Sequence, residues 1–187
     1  MDKLFQELLQ VIETIRPGYR ATLGSGTDRN TMSNIIGRDV VPDLIYSIYS
    51  QVNGTDGQIQ DQKFMDLVPG YRILQLSELS ERRDRIYAMA PWVKSEDIIP
   101  VLANYSDDYL CLRMAETSGD LVDFTHDMDE IQMMYDSSES FLHSVKECYE
   151  KGAYFLDEDQ YLECDDDAEA VVGKKYNPNA EFWDEDE

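Results

Sequence analysis

Histidine is almost absent from this chain, with only His126 and His143 among 187 residues. Acid–base catalysis near neutral pH therefore has few candidates that need no strong tuning. His143 stands beside Leu142 in a helical pattern and reads as a surface or packing residue. Also missing are a G-x-S-x-G elbow, a phosphate loop and a G-x-G-x-x-G fingerprint; Gly24-Ser-Gly26-Thr is too short, and no Lys follows it. These absences lead us to expect a protein that is not an enzyme and needs no cofactor. Cysteine is scarce as well. Cys111, Cys148 and Cys164 form an odd set without C-x-x-C, which argues for reduced, mostly buried thiols in a reducing compartment. No apolar run approaches the roughly 20 residues of a membrane span. The opening MDKLFQELLQ mixes an acid and Gln into its apolar residues, unlike a signal peptide. The expectation is a soluble, cytoplasmic protein with no membrane partner.

Basic residues are the other shortage. The chain holds 16 Lys and Arg against 39 Asp and Glu, a net charge of −23. The imbalance is uneven: residues 1–103 carry 14 acids and 11 bases, and residues 104–187 carry 25 acids and 5 bases. Direct binding to DNA or RNA is disfavoured, because phosphates need Lys and Arg. Arg82, Arg83 and Arg85 are the one basic cluster, and with Glu78, Glu81 and Asp84 nearby they read as intrahelical pairs. Self-repulsion weakens a compact state, so folding alone does not select such a field. A basic protein partner, steered at long range, is the simplest explanation.

What is present is a globular composition, 42% hydrophobic and 11% aromatic. Helical spacing marks residues 2–15, 28–36 and the run from Pro42 to Asn53-Gly54, whose Asn-Gly reads as a left-handed stop. Residues 55–70 read as polar and turn-like. A strand near 73–76 leads to Ser77 as a helix N-cap. From Ile98 the period becomes two, giving strands at 98–104, 109–114, 121–124 and 131–135, with Pro100 hinting at an edge. Asp136-Ser-Ser-Glu139 resembles a capping box for a helix ended by Gly152. A hairpin at 154–164 and a helix at 165–176 follow. The fold class expected is α+β: one domain over 1–187, with a core at about 28–164 and an acidic C-terminal extension at 165–187. Its central sheet would have 4–6 strands, antiparallel or mixed, flanked by helices.

The acids fall mainly at predicted turns. Asp107, Asp108, Glu116, Asp120, Asp127, Asp129 and Glu130 belong to the meander, and Asp157, Glu158 and Asp159 to the next hairpin. Solubility and helix N-termini account for each acid singly, but poorly for 25 acids against 5 bases. These ten residues are therefore the candidate partner-binding set, with Tyr105, Tyr109, Tyr154, Tyr161 and Trp183 as possible anchors or core. Asp123, His126, Asp127, Asp129 and Glu130 are rich in ligand atoms, but a solvated turn has the same composition. A calcium loop starting at Asp157 fails, since its sixth position is Leu162 and its twelfth Ala168.

The order of three segments resembles the SUKH superfamily, which includes a fungal cell-wall-synthesis regulator and many bacterial immunity proteins. The segments are Pro42–Gly54, the strands from Ile99-Pro100-Val through Tyr109-Leu-Cys-Leu112 to Asp120–Asp127 with its His126-Asp127 turn, and Ser138-Glu-Ser-Phe141-Leu142. The chain departs from the family in having Ser106-Asp107-Asp108 where a Gly-rich turn is common, and Arg113 where Asp is common. The resemblance implies a non-enzymatic binding domain. Its expected partner is a cognate protein toxin, a basic nuclease domain, bound by a monomer or weak dimer. A regulatory or scaffold module of the same family is the alternative, and an enzyme or metal-dependent hydrolase the third reading.

Overall fold

The computed structural model describes residues 1–59, 61–114 and 119–184. Among these are six α-helices, eight strands and several short 3-10 turns. Helix α1 (Asp2–Ile15) buries Phe5, Leu8, Leu9 and Ile12, one apolar stripe at helical spacing. Helix α2 (Arg29–Ile36) starts where the Asp28 carboxylate accepts from the backbone of Asn30 and Thr31, and stops at left-handed Gly37. Helix α3 (Asp43–Tyr49) is shorter than its apolar pattern suggests, because the chain leaves the helix at Ser50. Gly54 is not its cap. Its φ of +93° places the backbone so close to the chain at Leu74 that a Cβ would lie 2.2 Å from the Leu74 carbonyl oxygen.

The main sheet has six strands in sequence order, each antiparallel to the next. They are β1 (Asp66–Val68), β2 (Tyr71–Ile73), β3 (Ile98–Ala103), β4 (Tyr109–Arg113), β5 (Leu121–Phe124) and β6 (Gln132–Tyr135). The mixed-sheet variant is thereby excluded, and β1 appears inside a stretch that reads as polar turns. Register shifts at Asp66/Val68, Pro100/Leu102 and Leu121/Val122 bend the strands and add twist. Pro100 lies in a strand flanked by β2 and β4, not at an edge; the β3 bulge sits where proline brings no donor.

Between β2 and β3 the chain makes helix α4 (Leu79–Met89), which packs on β3. Ser77 does not cap it. A 3-10 turn at Leu76–Glu78 precedes the helix, closed by a capping box between Gln75 and Glu78. Glu78 also receives both Arg72 guanidinium nitrogens at 2.8 Å and Arg82 at 3.3 Å.

Helix α5 (Ser138–Lys151) packs against α1 and α6. Its capping box uses Ser137 and Ser140 rather than Asp136 and Glu139. Phe141, Leu142, Val145, Cys148 and Tyr149 are buried, each contributing roughly 1.5–3 kcal/mol of transfer free energy. A hairpin, β7 (Tyr154–Leu156) and β8 (Leu162–Cys164), leads to α6 (Asp166–Tyr176). The segment after α6 returns along β6: Asp136 N donates to Asn177 Oδ1 at 3.1 Å, and Trp183 Nε1 to the Met134 carbonyl at 2.6 Å. Trp183 itself is buried against Tyr135.

Candidate functional site

Sequential antiparallel pairing places the β1–β2, β3–β4 and β5–β6 turns at one end of the sheet, and the β4–β5 turn at the other. The first end gathers five of the ten candidate acids, Asp107, Asp108, Asp127, Asp129 and Glu130. In the β3–β4 turn, Asn104 Oδ1 accepts from Ser106 N at 2.8 Å and Asp108 N at 2.9 Å, so one side chain shapes the loop. Asp107, in the left-handed region at φ 66°, receives Arg85 and the Tyr109 hydroxyl. Asp108 takes Asn104 Nδ2 at 2.6 Å and reaches the neighbouring turn, where His126 N and Nδ1 lie 3.0 and 2.8 Å from its Oδ1. The hydrogen bond to Asp108 pushes the exposed His126 imidazole up from its ordinary pKa. Burial would raise the Asp108 carboxyl, but the bonds from His126 and Asn104 outweigh it and hold it low.

Asp107 and Asp108 thus tie the turns to α4 and to each other. The next residues do something else. His126, Asp127, Met128, Asp129 and Glu130 are all exposed, Met128 by 55%. Asp127, Asp129 and Glu130 make no ion pair with a described residue. An apolar side chain therefore stands beside three carboxylates that no described Lys or Arg pairs. Tyr105, on the turn beside it, is 52% exposed, and its hydroxyl donates to Asp66 Oδ1 at 2.5 Å.

The other candidates divide in the same way. Asp120, at the far end of the sheet, is buried and accepts from Arg113 Nη1 at 2.7 Å, while Glu96 lies 3.3 Å from the same guanidinium. Asp157 closes its own hairpin by accepting from Tyr161 N at 2.8 Å. Glu158 and Asp159 project at the tip of that hairpin, with Phe155 and Tyr161 also exposed. Glu116 lies outside the described residues. Of the aromatic candidates, Tyr109, Tyr154 and Trp183 belong to the core, whereas Tyr105 and Tyr161 face solvent.

Asp123 and His126 do not gather a metal-ligand set with their neighbours. Asp123 turns to the Thr125 hydroxyl at 3.0 Å, and His126 turns to Asp108. Among the described residues, the one convergent group of such ligands is Cys164, Asp166 and Glu169. The sequence reading passed over it, although Cys-x-Asp-x-x-Glu at a strand-to-helix junction is its signal. His143 stacks on Tyr176 with ring centroids 5.4 Å apart, a packing role. No helix is long and apolar enough to cross a membrane among the described residues. No family model matches the chain, and no curated protein matches it either.

Proposed function

We propose that this chain is a non-catalytic binding protein of the immunity type, which captures a basic protein toxin, a nuclease domain, through its acidic turns. The observation that carries the reading is the β5–β6 turn, where Asp127, Asp129 and Glu130 flank exposed Met128 in the chain without a Lys or Arg ion pair to a described residue, the adjacent His126 being turned to Asp108. Carboxylates so placed stand where phosphates would approach a nuclease groove. Met128 supplies apolar contact area in their midst. The charge of −23 steers a basic partner, and the resemblance to the SUKH superfamily supports the same role.

The test pairs this chain with the product of the adjacent gene. Killing by that product alone, and rescue by co-expression, is the expected outcome. Stopped-flow association should slow steeply with added salt. Reversing the turn with Asp127→Lys, Asp129→Lys and Glu130→Lys should reduce the on-rate by about tenfold or more. A harmless neighbour, or rescue and on-rate unchanged by the triple reversal, would sink the proposal and favour the scaffold reading.

A further inference from the structure

A second site uses none of the exposed acids of those turns. Cys164 is the last residue of β8, and Asp165 caps α6 by accepting from Ala168 N at 3.1 Å. Asp166 and Glu169, three residues apart in the first turns of α6, share a helix face. The corner between strand and helix therefore turns one thiol and two carboxyls to a common point, and their ligand atoms all lie within 4.8 Å of one another. Cys164 Sγ donates to Glu169 Oε2 at 3.1 Å, and Glu169 Oε1 accepts from the Tyr154 hydroxyl.

The three residues line a cavity of about 360 Å³ between the sheet and the start of α6. Tyr135 lines it too. That residue is only 2% exposed, yet its hydroxyl makes no hydrogen bond to a described residue. Burial pushes its phenol pKa far up. A deeply buried phenol with no described hydrogen-bond partner, in the wall of the same cavity as the converging ligand atoms, is more than an acidic cluster offers.

We propose that Cys164, Asp166 and Glu169 bind a divalent ion of the zinc class, with a water or small anion as fourth ligand held in the cavity by the Tyr135 hydroxyl. A thiolate is a poor ligand for Mg²⁺ or Ca²⁺, and one sulfur with two oxygens suits a borderline ion. Ligand atoms bound tetrahedrally at zinc distances stand roughly 3.3–3.6 Å apart. Cys164 and Glu169 are close to that spacing already, and the exposed Asp166 closes the set by rotation. Binding expels the thiol proton to solvent and relieves the repulsion between the two carboxylates. Tyr154 is a positioning residue that fixes Glu169.

The experiment uses the full chain, reduced and stripped with a chelator, then titrated with Co²⁺ and back-titrated with Zn²⁺. One Co²⁺ per chain should bind, with a near-ultraviolet thiolate-to-cobalt band that Zn²⁺ abolishes. Cys164→Ser should lose the band, and Tyr154→Phe should weaken affinity by about 10- to 100-fold. Asp127→Asn with Asp129→Asn should change nothing. No band in the wild-type protein, a band that survives Cys164→Ser, or binding lost with the surface pair would each overturn the site. If Cys164→Ser fails to fold by circular dichroism, the wild-type band and its loss in Glu169→Gln decide in its place.

Discussion

At the scale of single residues, the acids divide by what they face. Glu78 is the clearest inward example. Burial alone would raise its carboxyl, but hydrogen bonds from Arg72, the Gln75 backbone and Arg82 outweigh burial and hold its pKa at about 2. A carboxylate depressed in the folded state stabilises the fold above its unfolded pKa, and that stability is lost as pH falls through the folded value. The window therefore runs from about pH 4.5 down to about pH 2. With the Glu78 side chain one-fifth exposed, the contribution at neutral pH is on the order of 2 kcal/mol after solvent screening. Urea unfolding of Glu78→Gln should show that loss at pH 7 and a flatter pH dependence across the window. Equal slopes in the two proteins would remove Glu78 as a source of acid sensitivity.

At the scale of elements, α6 and the segment after it behave as one unit. Gly173 lies inside α6, where Ala would ordinarily gain up to about 1 kcal/mol. Here a Cβ would meet the Trp183 indole at 2.2 Å. Gly173→Ala should therefore destabilise by roughly 1–3 kcal/mol and red-shift Trp183 emission, read in a Trp92→Phe background. A stabilised variant would show that the indole is not seated on the helix. The elements also show what the sequence makes legible. The stripes of α1 and α5 are local patterns, readable without a fold. Strand β1 is not, because three residues carry no period and their pairing with β2 is a tertiary matter. Nor could the sequence separate Asp120 from Asp127. Both sit at turns among acids, and only the sheet brings Arg113 onto Asp120. The Cys164 set is hidden for a different reason: the hairpin end at 164 and the helix start after it are legible, but the turning of three side chains to one point is not.

At the scale of the whole molecule, the chain follows its sheet in order, so the two outer strands are the first and the last in sequence. They are protected differently. Strand β1 is three residues long and irregular, a poor template for another chain. Strand β6 has no further strand beside it, but Asn177 meets the Asp136 amide, Asn179 the Asp136 carboxylate and Trp183 the Met134 carbonyl. The residues after α6 thus act as a guard rail for backbone groups that would otherwise recruit a strand from a neighbouring molecule. A chain ended at Tyr176 should scatter light increasingly with concentration and form β-rich oligomers, whereas the full chain stays dispersed. Guarding matters more as pH approaches the isoelectric point near 4.2, where the mutual repulsion that keeps so acidic a protein apart fades. Residues 177–184 would then serve as the molecule's defence against self-assembly under acid conditions, when charge no longer provides one.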